Sequence, residues 1–366
     1  MDVSIVACGH DVADARIHRL CAAFRRHGLR VEVLGLGSAA DGPPGCAVAV
    51  VARPGLSGRL LLSFRYAMRA RGREVFAFDT DGPVAARVVG GLSISKVVAD
   101  VHEDYAKLTR DRPWARGLRG ALARALVGVS TTAAKGAALT IVADEHVPPQ
   151  RADNRLVVPN RPDPRMLPGR GTVPRCELPT AVYVGDIRAS RGLKSMVEAV
   201  AASDPWRLIL IGPVAAADAA WLTQRVEQPD VVGRVDVLGR LAPEAAWAIA
   251  AAAWCGLSLL EDTPAYRDAV PSKLFEYLAV GLPVVVTDLP RQRAMVAGRG
   301  GEVVSVDPAR TAGECAQVLR RWTDSTGLDA AAAVARPPAL STGQSDYDDV
   351  AARLAALARP RNSSAT

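Results

Sequence analysis

Short runs of valine, isoleucine and leucine recur along the chain and alternate with stretches in which apolar residues return every three or four positions. Seven runs fall at 3–7, 31–34, 47–51, 75–78, 96–99, 139–142 and 156–158, and six more at 181–184, 208–211, 235–238, 256–260, 284–287 and 303–306. Apolar runs this short and this uniform are strands covered on both faces, and the helical stretches between them are the crossovers of βαβ units. The pattern predicts an α/β chain with one parallel sheet in each half. Between the halves, residues 159–179 hold Pro159, Pro162, Pro164, Pro168, Pro174 and Pro179, which neither a helix interior nor a central strand accepts. Four segments are expected: a Rossmann-like domain at 1–158, a proline-rich linker at 159–179, a second such domain at 180–340, and a terminal segment at 341–366. After the last strand the pattern gives a helix at 312–323, a loose Ala/Pro segment, an amphipathic helix at about 345–358 and a polar tail. Two such sheets on a stiff linker form a cleft, with ligands outside the carboxyl ends of the strands. The length of 366 residues agrees, since one core rarely organises so long a chain.

The stretch from Asp268 to Thr287 is the richest in chemistry. Pro271 suits the first helical position, Gly281 the left-handed residue that ends a helix, and Pro283 prevents continuation. Ser272, Lys273 and Glu276 then share one side of a short helix whose amino end favours anions. A hydroxyl donor and a mobile ammonium suit a diphosphate, and a carboxylate one turn further in can accept hydrogen bonds from a ribose diol. The alternative for a bare Pro-x-Lys-x-x-Glu is a solvent-facing ion pair on an ordinary αβ unit.

The whole string Pro271-Ser272-Lys273-Leu274-Phe275-Glu276-Tyr277-Leu278-Ala279-Val280-Gly281-Leu282-Pro283-Val284-Val285 resembles the donor-site signature of retaining GT-B glycosyltransferases of the family-4 type. The resemblance implies two Rossmann-like domains facing across a cleft, and transfer of a sugar from a nucleotide diphosphate sugar, of UDP or GDP type, to an acceptor hydroxyl. It further implies a hexosyl- or N-acetylhexosaminyltransferase with front-face attack and no metal or other cofactor. Glu276 falls where the family holds the ribose, and Asp268 where its first acid stands, though many relatives have Glu and a Gly-rich segment there. Arg191-Gly192 occupies the family's Lys-Gly position, while Asp186 replaces its arginine, so that either Arg188 substitutes or Arg191 and Lys273 neutralise the phosphates alone. Gly239-Arg240 lies where relatives hold the base, and Asn160-Arg161-Pro162-Asp163 resembles the turn that opens the linker. Asp100-Val101-His102-Glu103 is similar to a subgroup string whose His meets the donor sugar or its phosphate, which assigns His102 to the active site. Without the resemblance, one His with two acids is a weak metal site. The terminal helix would cross back onto the first domain.

On the acceptor side stand Gly9, His10, Asp14 and Arg16 in the loop after the first strand, with Asp81 from the Asp79-Thr80-Asp81 cluster. Asp14 or Asp11 can cap the following helix, and Arg16 is either acceptor-side or structural. Gly35-Leu36-Gly37 is no dinucleotide fingerprint. The departures at Asp186 and Asp268 keep open a non-catalytic sugar-nucleotide-binding relative or partner of an active transferase. An epimerase or phosphorylase of the same fold is a further alternative. The acceptor is a glycan, a lipid-linked saccharide or a small aglycone.

A net charge of +7 favours anionic ligands or surfaces without choosing between them. The six cysteines show no paired spacing, which argues for free thiols in a reducing compartment, and a start without a leader pattern places the expected chain in the cytoplasm. From Arg110 to Leu126 five arginines stand against one aspartate, and Trp114, Leu118, Leu122 and Leu126 share a helical face. That face is expected to cover the first sheet; a peripheral contact with the inner face of the membrane is its alternative.

Overall fold

The computed structural model describes residues 1–78, 81–90, 96–110, 115, 117–339 and 346–358. The chain divides into two units, Met1–Asn160 with Leu340–Thr366, and Arg161–Ala339. In the first come β1 (Val3–Asp11), α1 (Ala15–Arg26), β2 (Val31–Leu36), β3 (Ala47–Val51), α2 (Leu56–Arg69), β4 (Glu74–Phe78), α3 (Asp81–Gly90), β5 (Lys96–Val101), α4 (Tyr105–Arg110), α5 (Gly117–Lys135), β6 (Leu139–Val142) and β7 (Arg155–Val157). They form a seven-stranded sheet ordered β3-β2-β1-β4-β5-β6-β7, every neighbouring pair parallel. Strand order reverses between β1 and β4, the position at which such sheets open a crevice beyond their carboxyl ends.

The second unit runs β8 (Thr180–Val184), α6 (Leu193–Ala201), β9 (Arg207–Ile211), α7 (Ala216–Val226), β10 (Val235–Gly239), α8 (Pro243–Ala250), β11 (Cys255–Ser258), α9 (Pro264–Arg267), α10 (Ser272–Ala279), β12 (Val284–Thr287), α11 (Pro290–Val296), β13 (Gly301–Val304), α12 (Pro308–Thr323) and α13 (Ser325–Val334). Its sheet is β10-β9-β8-β11-β12-β13, again parallel, with the reversal between β8 and β11. Finally α14 (Tyr347–Ala358) returns to the first unit, where Tyr347, Val350, Ala351 and Leu354 are buried in the same cluster as Ile17, Leu20 and Phe24 of α1.

Residues 161–179 belong to the second unit rather than hanging free between the two. The Arg161 guanidinium stacks 4.7 Å from the Phe275 ring, Asp163 caps a short turn by accepting from Arg165 N, and Trp254 Nε1 donates to the Cys176 carbonyl at 2.7 Å.

Two expectations fail. The loose Ala/Pro segment contains α13, because alanine has the highest helix propensity, Asp324 caps the start by accepting from Gly327 N, and Leu328 has a core to enter. On α5 two of the three leucines do not cover the sheet: Leu118 is 91% exposed and Leu122 73%, while Leu126 is half-buried. The buried positions are instead Gly120, Ser130 and Ala134, small enough for close approach to the neighbouring elements, with Ala123, Leu126 and Val127 half-buried. Trp114, the first residue assigned to that face, lies outside the described residues.

Candidate functional site

In the second unit the residues expected at the donor converge at the carboxyl ends of β8 and β11. Helix α10 begins at Ser272, with Pro271 extended before it (φ −61°, ψ 132°) rather than inside its first turn. No side chain caps this end, so its first N–H groups stay available to a ligand. The other end closes as a full Schellman motif: Gly281 takes φ +86°, its N–H donates to Leu278 O, and Leu282 N donates to Tyr277 O at 2.8 Å. Tyr277 fixes the helix to the sheet, its hydroxyl accepting from Val184 N at 3.0 Å and donating to Val182 O at 3.2 Å.

This anchoring holds Lys273 only 7% exposed, with its ammonium 3.6 Å from the centre of the Tyr183 ring. Among the described residues its Nζ has no hydrogen-bond partner. Burial, followed by the nearby Arg191 charge, pushes the amine well below the usual lysine range, against the opposing pull of Asp186 and Glu276. Glycine is required beside it: Gly185 sits at φ +131°, and a Cβ there would lie 3.1 Å from Lys273 Nζ. Gly212, after β9, is packed so closely that a Cβ would lie 2.0 Å from the Gly185 carbonyl oxygen.

The loop after β8 supplies the remaining charge. Arg188 Nη2 donates to Asp186 Oδ2 at 2.7 Å, and Arg191, at the end of the next turn, lies against the phenols of Tyr183 and Tyr266. Gly192 follows in the left-handed region (φ +86°), where a Cβ would meet the Leu259 carbonyl oxygen at 2.2 Å. Asp186 stands amid the cations. Burial opposes its ionisation, but Arg191, Arg188, Arg240 and Lys273 hold its carboxyl below the ordinary range. Of the two possibilities for Arg188, the structure shows it paired with the substituting acid itself. Tyr183 donates its hydroxyl to the Asp186 carbonyl, and burial pushes that phenol up to about 12.

Glu276, 5% exposed, lies one turn beyond Lys273 in α10. Gly239 ends β10 at φ +69°, and Arg240 beside it is exposed. Asp268 is exposed at the end of α9, its carbonyl accepting from Arg291 Nη1 at 2.5 Å. A buried polar chain that the sequence did not announce braces this region: Ser258 Oγ donates to Gln292 Oε1, Gln292 Nε2 to Thr287 Oγ1, and Thr287 Oγ1 to Leu260 O.

In the first unit, the adjacency of β1, β4 and β5 brings His10, Phe78 and His102 together at their carboxyl ends. The His10 and His102 rings lie 4.9 Å apart edge to face, Phe78 is 4.7 Å from His102, and Tyr105 OH is 3.5 Å from His102 Nε2. Asp14 is the residue that caps α1, accepting from Arg16 N at 2.8 Å, and its other oxygen faces His10 Nδ1 at 3.2 Å. Burial opposes its charge, but the hydrogen bond and charge of His10, then His102, hold the carboxyl well below the usual range. Gly9 is covered by Arg59, whose guanidinium a Cβ would meet at 2.5 Å, and its carbonyl accepts from Arg53.

Arg16 takes the structural alternative. Its Nε and Nη2 donate to the two oxygens of Asp100, both at 2.7 Å, and its Nη1 to Val158 O at 3.2 Å and Tyr347 OH at 3.5 Å, all out of solvent. Asp100 is thereby engaged on both oxygens, and among the described residues no three His, Cys, Asp or Glu side chains group as metal ligands. Asp79 and Thr80 lie outside the described residues, as does the side chain of Asp81, which opens α3.

Two parallel doubly wound sheets in one chain make this the GT-B fold, and solved structures share it. A sucrose-phosphate synthase from Thermosynechococcus elongatus superposes with a TM-score of 0.66 at 14% identity, covering 98% of each chain. Anabaena Alr3699/HepE, solved in complex with UDP and glucose, gives 0.67 at 15% identity over 98% of this chain and 99% of that one. S. aureus MnaA, solved with UDP, gives 0.58 at 12% identity over 97% and 95%. The more specific likeness is in sequence: residues 178–321, within the second unit, match the family of glycosyl transferases group 1. No curated protein sequence matches the chain.

Proposed function

We propose that this protein is a retaining glycosyltransferase that moves a sugar from a nucleoside diphosphate sugar, of UDP or GDP type, to an acceptor hydroxyl. The observation that carries the reading is Lys273: a buried amine without a hydrogen-bond partner, beside Arg191, at the uncapped amino end of α10. Burying cations together is unfavourable unless an anion joins them, and a diphosphate supplies that charge with oxygens for each donor. The group 1 match over this unit and the UDP complexes of proteins with the same fold support that donor.

In the reaction the bond between the anomeric carbon and the β-phosphate oxygen breaks, and the acceptor oxygen bonds to the same face of the sugar. The acceptor's proton passes to the departing phosphate. Lys273, Arg191 and the N–H groups at Ser272 stabilise the charge growing on that phosphate, so that side chains do what a divalent cation does elsewhere. Glu276 holds the ribose, the Gly239-Arg240 turn lies at the base, and Asp268 is the candidate for the sugar. His102 meets the donor sugar or its phosphate, and His10, Asp14 and Gly9 belong to the unit that takes the acceptor, a glycan, a lipid-linked saccharide or an aglycone.

The test is calorimetric titration with UDP, GDP and their hexose and N-acetylhexosamine conjugates, with donor hydrolysis followed in the presence and absence of EDTA. Binding of one conjugate, slow hydrolysis indifferent to EDTA, and loss of both in Lys273→Ala are expected. The Asp186–Arg188 pair, which withdraws one cation from the phosphates, favours a second reading as a non-catalytic binder. Tight binding with no turnover on any acceptor would select it.

A further inference from the structure

Helices α2, α3 and α5 lie side by side along one layer of the first unit. Their outward surface is unusual in both of its components. Among the described residues six large apolar side chains are more than half exposed: Leu61 at 74%, Met68 at 69%, Val88 at 55%, Leu118 at 91%, Leu122 at 73% and Val129 at 56%. The helices interleave these with exposed Arg65, Arg69, Arg87 and Arg124. With the adjoining α4 the layer carries nine Lys and Arg residues in sequence, against Asp81 as its single acid. The imbalance is local, because the chain as a whole is nearly balanced, with 45 basic and 38 acidic residues.

We infer that this α2–α3–α5 face docks on the surface of an anionic lipid bilayer. Exposed apolar residues on adjacent helices mark an interaction surface, and the question is which occupant suits the charge. A protein partner would need acidic groups placed against arginines scattered over three helices. A bilayer with anionic headgroups offers negative charge everywhere at the level of the guanidinium groups, while the leucine and methionine tips enter the acyl boundary below. The contact lies in the plane of the interface, because among the described residues no helix is long and apolar enough to cross a membrane. The face uses none of the residues assigned to donor chemistry, so its test is independent of that assignment.

The full chain is mixed with phosphatidylcholine vesicles, with and without phosphatidylglycerol, and floated on a density gradient. Wild type floats only with the anionic vesicles, and raised salt releases it as the headgroup charge is screened. Leu118→Ser with Leu122→Ser, and separately Arg65→Glu with Arg69→Glu, each weaken vesicle binding by roughly tenfold or more. All four positions are solvent-exposed, so the melting temperature and nucleotide binding stay at wild-type values, which separates lost docking from lost folding. Failure to float on anionic vesicles overturns the inference, as does undiminished binding by both variants. So does a wild-type dimer that the leucine substitutions dissolve, which would assign the face to a second copy of the chain.

Discussion

Lys273 sets stability against binding within one side chain. A buried ammonium without a hydrogen-bond partner is unfavourable, and its contact with Tyr183 offsets only part of that. Lys273→Met keeps the volume and removes the charge, and should stabilise the second unit by about 1 kcal/mol, raising Tm by roughly 2–4 °C. The same change should weaken nucleotide binding by roughly tenfold to a hundredfold, the worth of a charged hydrogen bond. Thermal melts and calorimetry on one preparation test both, and a variant that is less stable and still binds would sink the reading. Glu74 gives a second effect, in the other unit. It is 2% exposed, neither carboxylate oxygen has a hydrogen-bond partner among the described residues, and burial pushes it up from 4.5 to about 7 despite Lys96. The folded state therefore holds a proton that the unfolded state has released, so this contribution is complete below about pH 4.5 and lost as pH rises to about 7. That rise corresponds to roughly 3 kcal/mol, and Glu74→Gln should flatten that decline in urea titrations at about pH 5 and about pH 8. Lys273 and Ser272 could be singled out in the sequence because residue type and helix position suit an anion, and Arg191 through the resemblance of Arg191-Gly192 to the family's Lys-Gly. Tyr277, Gly212 and Gln292 could not, since each acts through a partner distant along the chain.

At the scale of elements, glycines at loop ends decide where the charged side chains stand. Gly192 lies in the left-handed region against the Leu259 carbonyl, so Gly192→Ala meets both backbone strain and a clash with an atom that has no rotamer to change. It should destabilise the second unit by roughly 2 kcal/mol or more and weaken nucleotide binding by displacing the adjacent Arg191. Denaturant midpoints together with nucleotide affinity read both; unchanged affinity would show that Arg191 does not reach the phosphates. Strands were legible as elements because uniform apolar runs bounded by turn residues have few other uses. Helix α13 was missed because its alanines match a loose tail in composition, and only Leu328 and its core distinguish the two. The error on α5 has a different cause. Periodicity shows that a helix has an apolar stripe but not which way the stripe faces, and here the small residues face in.

On the scale of the whole molecule, the chain crosses between its units twice, and the second crossing delivers α14 to the core of the first. Deleting residues 346–366 would expose Ile17, Leu20 and Phe24 and remove Tyr347 from Arg16. The first unit should lose several kcal/mol by exposed apolar area alone, while the transition of the second stays in place. Differential scanning calorimetry should then resolve two transitions with only one shifted, and a shift of both together would show that the units do not unfold separately. The sequence was sufficient for the α/β class, the strand order along the chain and the helix that carries Ser272, Lys273 and Glu276, because backbone preference and local spacing specify these. Contacts between segments far apart settled the rest: that Arg16 is sealed by Asp100, that Lys273 lies buried on Tyr183, and that Leu118 and Leu122 of α5 face outward. Each depends on which strands the sheet makes neighbours, and a one-dimensional pattern does not contain that adjacency.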